Sequence, residues 1–540
     1  MKTKYIDAIM LKKMYIQAKH SLESNKDIVD ALNVFPVPDG DTGTNMTLTI
    51  NAAAKEVQEA SKITIESISE AAANGSLMGA RGNSGVILSQ LFRGFAKGCK
   101  GKDKLNVHDF AYALKNASDT AYKAVMKPIE GTILTVAREI GEKAVELSKK
   151  EDNITDFLHK IIQHGEIVLS KTPEMLKVLK QAGVVDAGGK GLIYIFMGFY
   201  EAISGKEVDI APAKESQTIQ LHKEETVEDI TFGYCTEFII NGTNISIEGF
   251  KKKIGKYGDC MLVVGDEKLV KVHIHTNHPG KVLEHGLEEG SLVNIKIDNM
   301  RQQHSNKIFE ENTSAADDPV DGKKFGMIAV AMGEGLVDIF KDLNVDVVIA
   351  GGQTMNPSTE EIKKAIDAIE ADNIFIYPNN SNIIMAANQA KALSSKNVIV
   401  IPSKSVPQGI ASILAYNSEL SAEENEKLMT NVLQRVKTGQ VTFSVRDTQI
   451  DSIIIKKDDI LGIHNGNIKS VGNNIEFVSK ELLNHMITED DEILTIFYGE
   501  EVDEQAANAL AEEIKEIHDH IDVEVYYGGQ PLYYYLFSIE

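Results

Sequence analysis

The chain has 540 residues, of which 43% are hydrophobic and 25% charged, and carries a net charge of −23 with three cysteines. At roughly 150 residues per domain this length predicts three or four domains with ordinary packed cores. The acidity excludes nucleic acid as a main partner, since a phosphate backbone is held by clustered Lys and Arg. Three cysteines, Cys99, Cys235 and Cys260, make no disulfide framework. With no run of about 18 apolar residues, no membrane span is expected. The first residues acquire charge and helical spacing without a signal peptide's apolar stretch, so the expected address is the cytoplasm.

Residues 1–205 read almost wholly as helix. Ile9, Met10, Met14, Ile16 and Ala18 recur at helical spacing, and the same pattern predicts helices over 63–74, 107–127, 133–149, 154–171 and 192–203. Short glycine-rich turns separate them, with no convincing alternation of the strand kind, which predicts an all-α domain. Residues 206–229 turn polar and acidic, a linker. Residues 230–308 then change character, with strands expected at 232–241, 260–265, 269–276 and 292–298 and helices at 246–257 and 280–290. The order β-α-β-β-α-β is the split-βαβ, ferredoxin-like pattern. A second acidic linker, 309–323, precedes an α/β domain over 324–540. Its strands are expected at 325–331, 345–350, 373–377 and 397–401, alternating with helices at 335–343, 358–368 and 382–393, which predicts a mostly parallel sheet. Beyond about residue 441 the pattern is mixed, with strands near 440–446, 460–464, 492–498 and 523–527 and helices at 474–486 and 503–517.

The densest chemistry lies early. Leu32-Asn33-Val34-Phe35-Pro36-Val37-Pro38 leads into Asp39-Gly40-Asp41-Thr42-Gly43-Thr44-Asn45. The prolines keep the approach extended, and two carboxylates followed by Thr and Asn oxygens form a cluster of hard ligands suited to Mg²⁺ or Ca²⁺. An EF-hand is excluded, because its sixth and twelfth positions would be Thr44 and Ile50 instead of Gly and Glu. The plainer reading is an Asp-Gly turn followed by a helix capped at Thr44 or Asn45.

Two further glycine-rich segments precede apolar helices. Gly82-Asn83-Ser84-Gly85 leads into a helix expected over 86–92, and Gly183 to Gly191 contains Asp186-Ala187-Gly188-Gly189. Backbone N–H groups at such turns can cradle phosphate, with the Ser84 hydroxyl adding a donor. The first has neither Walker A nor Rossmann spacing, and glycines permitting a close helix contact explain it equally well when it is taken alone. Three such loops in one helical domain, one with paired carboxylates, point to a nucleotide site. Arg81 reads as half of a surface ion pair.

These segments give the resemblance. Residues 1–205 resemble the nucleotide-binding subunit of dihydroxyacetone kinases, the DhaL type, an eight-helix barrel that holds ATP or ADP through two Mg²⁺ ions on aspartates. The resemblance makes Asp39 and Asp41 metal-binding and catalytic residues, and puts Asn33 where the family has a third aspartate. It implies nucleotide contacts from Thr42, Thr44, Asn45, Gly82, Asn83, Ser84, Gly85, Asp186 and Gly188. The whole chain is similar to the family of ATP-binding subunits of bacterial fatty acid kinase (FakA type), including Gly351-Gly352-Gln353-Thr354-Met355-Asn356-Pro357-Ser358 and Tyr526 to Tyr533. That implies a DhaL-like kinase domain, a middle α+β domain and a DegV-like α/β domain. It also implies transfer of phosphate from ATP to a fatty acid carboxylate, presented by a separate DegV-type fatty-acid-binding protein, to give an acyl phosphate. In-line phosphoryl transfer needs positioning and charge neutralisation more than a covalent nucleophile, and the acceptor carboxylate is already ionised. Alternatives are a glycerone-type kinase subunit, or an adaptor that binds nucleotide without transferring phosphate.

In the middle domain, His273 and His275 lie on one predicted strand, two residues apart and so on one face. Cys235 lies on the first strand, which neighbours the third in a split-βαβ sheet. Cys with two His suits Zn²⁺, with His278 or Asp266 as a fourth ligand; the alternative is a solvent-facing His pair and a buried thiol. The family's middle domain carries a Cys/His metal site, and this resemblance favours zinc. The same domain is the expected contact of a homodimer. In the last domain, the loops at 351–358, 378–382 and 402–409 follow strand ends, where α/β sheets bind ligands. A docking or regulatory role is expected there, and His464 reads as structural.

Overall fold

Asp7 sets the start of the first helix by accepting a hydrogen bond from the Met10 amide at 2.9 Å, and the chain then runs as α1 (Ala8–Ser24). The computed structural model describes residues 3–33, 40–125, 127–205, 234–242, 247–265, 269–299, 323–352, 355–450 and 453–540. After α2 (Lys26–Asp30) come α3 (Thr42–Glu59), α4 (Ile65–Met78), α5 (Gly82–Cys99), α6 (Val107–Ala124), α7 (Ile133–Leu147) and α8 (Ile154–Ser170). Two short helices, α9 (Thr172–Met175) and α10 (Lys177–Ala182), precede α11 (Ala187–Ser204). Helices α1, α3, α4, α5, α6, α7, α8 and α11 pack each on the next, and α11 returns onto α1, which closes a barrel of eight. The periodic apolar positions supply its interior. Tyr15 meets Phe92 and Phe199 edge-on, and Phe110 meets Phe95 and Phe157 in the same way. Each such side chain contributes about 1.5–3 kcal/mol by burial.

Two boundaries differ from the sequence reading for a stated reason. Helix α3 starts at Thr42, with Asp41 at its N-cap position, so the helix is not capped by Thr44 or Asn45. Helix α5 starts at Gly82 rather than Val86, so the Gly-Asn-Ser-Gly segment is its first turn. In both, polar residues that read as loop, Thr42 and Asn45 in one and Asn83 and Ser84 in the other, line one cavity.

The chain divides into two compact units, Asp209–Val320 and the remainder. In the smaller one, β1 (Tyr234–Gly242), α12 (Ile247–Ile254), β2 (Gly258–Gly265), β3 (Leu269–Thr276), α13 (Pro279–Glu289) and β4 (Gly290–Asn299) form a sheet of order β2-β3-β1-β4. All three strand pairs are antiparallel, which is the ferredoxin-like arrangement. Phe238, Phe250, Val272, Ile274 and Val282 lie in its core.

The C-terminal part of the larger unit begins with a parallel sheet. Strands β5 (Lys323–Ala331), β6 (Val347–Ala350), β7 (Ala371–Tyr377) and β8 (Asn397–Val400) lie in the order β6-β5-β7-β8. A second, six-stranded sheet follows. It comprises β9 (Lys437–Phe443), β12 (Ile460–His464), β13 (Asn467–Gly472), β14 (Ile493–Tyr498), β15 (Asp522–Tyr527) and β16 (Tyr535–Ile539), in the order β13-β12-β9-β16-β14-β15. A hairpin of β10 (Thr448–Ile450) and β11 (Ile453–Ile455) stands apart. The helices Val406–Leu414 and Ala422–Val432 have no counterpart in the sequence reading. The first carries Pro407 in its opening turn, where proline costs nothing.

One apolar cluster joins the two parts of this unit: Ala80 and Val86 pack with Ile328, Ile362, Ile366 and Ile383. Among the described residues no helix is long and apolar enough to cross a membrane.

Candidate functional site

Four helices of the barrel, α3, α5, α7 and α11, point their N-termini at one cavity of about 970 Å³, lined by residues that include Asp41, Thr42, Asn45, Asn83, Ser84, Ile133, Asp186 and Gly188. Helix N-termini carry unpaired N–H groups and a partial positive charge, so together they favour an anion.

Asp30, at the end of α2, shapes the start of α3. Its carboxylate accepts from the Gly43 amide at 2.6 Å, the Thr44 amide at 3.1 Å and the Thr44 hydroxyl at 2.9 Å. Because Asp30 satisfies those first-turn donors, Asp41 makes no side-chain cap to its own helix. Its carboxylate, in a residue only 8% exposed, instead accepts from the Asn356 amide of the C-terminal part. Asn33 lines the same cavity; its Oδ1 accepts from the Thr42 hydroxyl at 2.8 Å.

The start of α5 approaches α3 closely because of Gly82, whose φ of +58° is a left-handed value and whose absent Cβ would collide with the Asn45 amide. Gly85 lies against Thr49 in a close helix–helix contact. Between them, Asn83 and Ser84 face the cavity, and Asn83 donates to Asn382 Oδ1 at 3.3 Å. Asn83 Oδ1 and Asn356 Oδ1 are buried and lack hydrogen-bond partners among the described residues.

Asp186 caps α11 by accepting from the Gly189 amide at 2.7 Å, and it also accepts from the Ile133 amide at the start of α7. Burial pushes its pKa up to about 6, with the two N–H groups pulling the other way. The far wall comes from the C-terminal part and includes Asn380, Ser381, Lys404, Gln408, Gln434 and Asn465; Lys404 is the one cationic side chain among the described lining residues.

Of the residues singled out in the sequence, Asn33, Asp41, Thr42, Asn45, Asn83, Ser84, Asp186 and Gly188 line the cavity. Thr44, Gly82 and Gly85 do not: the Thr44 hydroxyl is on Asp30, and the two glycines serve helix packing. Asp39 lies outside the described residues. So do the side chains of Cys235, His273 and His275, although the strand register pairs Cys235 with His275. Among the described residues no group of three or more His, Cys, Asp or Glu could hold a metal. Arg81 is a correction to the surface-pair reading. It bonds the Asn356 carbonyl at 2.7 Å and Glu361 at 3.1 Å, and its side chain is only 21% exposed. Asp30 and Arg446 carried no local sequence signal, because each acts on backbone or on a partner distant in the chain, and Asn356 stood out only as part of the 351–358 loop after a strand end.

The donors fit a magnesium nucleotide. Asn33, Asp41, Thr42 and Asn45 line the cavity and carry side-chain oxygens, which suits a hard cation. A polyphosphate beside Asp41 and Asp186, with a single lysine in the lining, needs divalent cations and helix N–H groups to balance its charge.

The comparisons with known proteins agree with this organisation. Residues 326–540 match the family model for the C-terminal domain of FakA-like fatty acid kinase proteins, residues 231–307 match the model for their middle domain, and residues 36–201 match the DAK2 domain. Protein YloV of Bacillus subtilis is 46% identical over 553 residues, covering 100% of both chains. An uncharacterized protein of Staphylococcus aureus is 42% identical over 537 residues, 98% of each chain. Among solved structures, the dihydroxyacetone kinase from C. freundii in complex with AMP-PNP and Mg²⁺ aligns at 13% identity and a TM-score of 0.30, over 45% of this chain and 56% of that one. A likeness that distant carries no argument about activity.

Proposed function

Because the chain belongs to the FakA-like family of fatty acid kinase proteins, we propose that its cavity binds Mg-ATP and that it phosphorylates a fatty acid carboxylate presented by a separate DegV-type lipid-binding protein, giving an acyl phosphate. The observation that carries this reading is the convergence of four helix N-termini and the Asp41 carboxylate on one cavity. Asp41, with Asp39 and the oxygens of Asn33 and Asn45, would hold the cations. The amides at the starts of α5 and α11, with the Ser84 hydroxyl, would hold the phosphates. Bound Mg²⁺ would neutralise charge on the transferred phosphoryl group. The chain's own part is to orient the nucleotide and exclude water. It needs no base, since the acceptor is an anion at neutral pH.

The test is the purified chain with Mg-ATP, oleate and a DegV-type carrier, with acyl phosphate trapped as its hydroxamate. Hydroxamate should form with the native chain and be lost in Asp41→Asn together with tight nucleotide binding. No hydroxamate, with nucleotide binding unchanged in Asp41→Asn, would refute the reading.

A structural zinc site in the middle unit is proposed separately on the register of Cys235 with His275 and on family resemblance. Metal analysis of Cys235→Ser decides it, and zinc retained one per chain removes the claim. A homodimer with the middle unit as its contact is proposed as well, and sedimentation as a monomer at micromolar concentration removes it.

A further inference from the structure

The segment Met355–Ser358 follows β6 of the parallel sheet in the C-terminal part, and the nucleotide reading assigns it no role. It nevertheless reaches the barrel. Asn356 is fully buried, and its Nδ2 donates to Asp41 Oδ2 and lies 3.5 Å from Asn45 Oδ1. Its carbonyl is held by Arg81 Nη1 at 2.7 Å, and Arg81 is in turn paired with Glu361. Glu361 closes a capping box with Ser358, its carboxylate accepting from the Ser358 amide at 2.6 Å. The Thr359 amide donates to the Ala80 carbonyl at 3.1 Å. A second reach comes from Arg446, whose guanidinium donates to the carbonyls of Ala31 and Asn33. The chain is therefore gripped just before residue 34 and again at Asp41, in both cases by the C-terminal part.

We propose that the C-terminal domain completes the nucleotide site, with Asn356 as the positioning residue of the Asp41 carboxylate. The physical reason is that Asp41 does not cap its own helix, and the fully buried Asn356 amide on Asp41 Oδ2 sets the orientation of a carboxylate that lines the cavity. An amide donor suits this task because it holds a carboxylate oxygen in place without adding charge. Partners behind a metal-binding group typically change metal affinity about 10- to 100-fold. The arrangement also couples the domains. Any displacement of the Met355–Ser358 segment removes the donor from Asp41, so seating of the C-terminal domain and cation binding favour one another. The inference rests on the nucleotide reading of the cavity, and its test separates the two.

The full chain is titrated with Mn²⁺ in the presence of ADP, with bound Mn²⁺ followed by electron paramagnetic resonance. Asn356→Ala should weaken Mn²⁺ binding about 10- to 100-fold. Gln389→Ala, which removes a different bond across the same seam, Gln389 Nε2 to the Leu77 carbonyl at 3.1 Å, should leave affinity unchanged. Asn356→Asp supplies an independent readout. Two facing carboxylates should lower the metal-free melting temperature as pH rises, and Mn²⁺ should raise it by more than in the native protein. Native affinity in Asn356→Ala, an equal loss in Gln389→Ala, or an Asn356→Asp protein with the native response to pH and Mn²⁺ would each overturn the proposal. A native chain that binds no Mn²⁺ with ADP would overturn the nucleotide reading, and this inference with it.

Discussion

Asp186 offers a prediction that can be worked from the structure to a number. Its pKa rises from an ordinary 3.8 to about 6 because burial disfavours the charged form more than the amides of Gly189 and Ile133 favour it. A raised pKa means that the folded state binds a proton more tightly than the unfolded one. The associated stability is complete below pH 3.8 and is lost as pH rises through about 6. A difference of roughly two pH units corresponds to about 3 kcal/mol. Asp186 keeps an open side toward the cavity, and water there screens the charge, which brings the effect to about 1–3 kcal/mol. Asn at this position is neutral at every pH and has one acceptor oxygen for two amides, a constant cost of about 1–2 kcal/mol. Asp186→Asn should therefore be less stable than the native protein at pH 4 and nearly equal to it at pH 7. Urea unfolding of the nucleotide- and metal-free chain, followed by the helix signal in circular dichroism, gives both curves, and their difference isolates this group. Parallel curves from pH 4 to pH 7 would refute the reasoning.

Asp30→Ala strips three donors of their acceptor at the start of α3 and should cost about 2–3 kcal/mol in urea unfolding; an unchanged midpoint would show that water replaces the carboxylate without loss. Gly198→Ala places a Cβ 2.5 Å from Ala18 Cα and 2.7 Å from Ala18 N, so α1 and α11 must part. A net loss of about 1–3 kcal/mol is expected despite alanine's better helix propensity, and an unchanged or raised melting temperature would contradict it. Cys99 is buried, which pushes its thiol up to about 12. Iodoacetamide near pH 8 should leave its peptide unlabelled in the native protein and label it after denaturation; native labelling as fast as a free thiol's would show that the barrel opens there.

The barrel's long helices were legible because their apolar residues recur every three or four positions over several turns. Helix α3 was not, and the cause is its composition. Its buried face begins with Gly43, Asn45, Thr47 and Thr49, a glycine and three polar residues, and such a stripe does not register as amphipathic. The first turn of α5 read as loop for the same reason. The split-βαβ order of the middle unit was legible in alternation and turn residues alone, down to the adjacency of β1 and β3. Helix Val406–Leu414 was obscured by Pro407, which interrupts a helix anywhere but the first turn it occupies.

The sequence by itself determined the order of the domains and the three polar segments that become helix starts. Turn chemistry and periodicity are written within about ten consecutive residues, and a chain reads them without reference to its remainder. Only the tertiary structure decided which side of each segment faces the cavity, that Thr44 is turned onto Asp30, and that Asn356 and Arg446 close upon a site more than 300 residues earlier. Those contacts follow from how the apolar face around Ala80 and Val86 seats on Ile362, Ile366 and Ile383. Close packing of two such faces sets positions to within a hydrogen bond's tolerance, and no local pattern in either segment encodes the other.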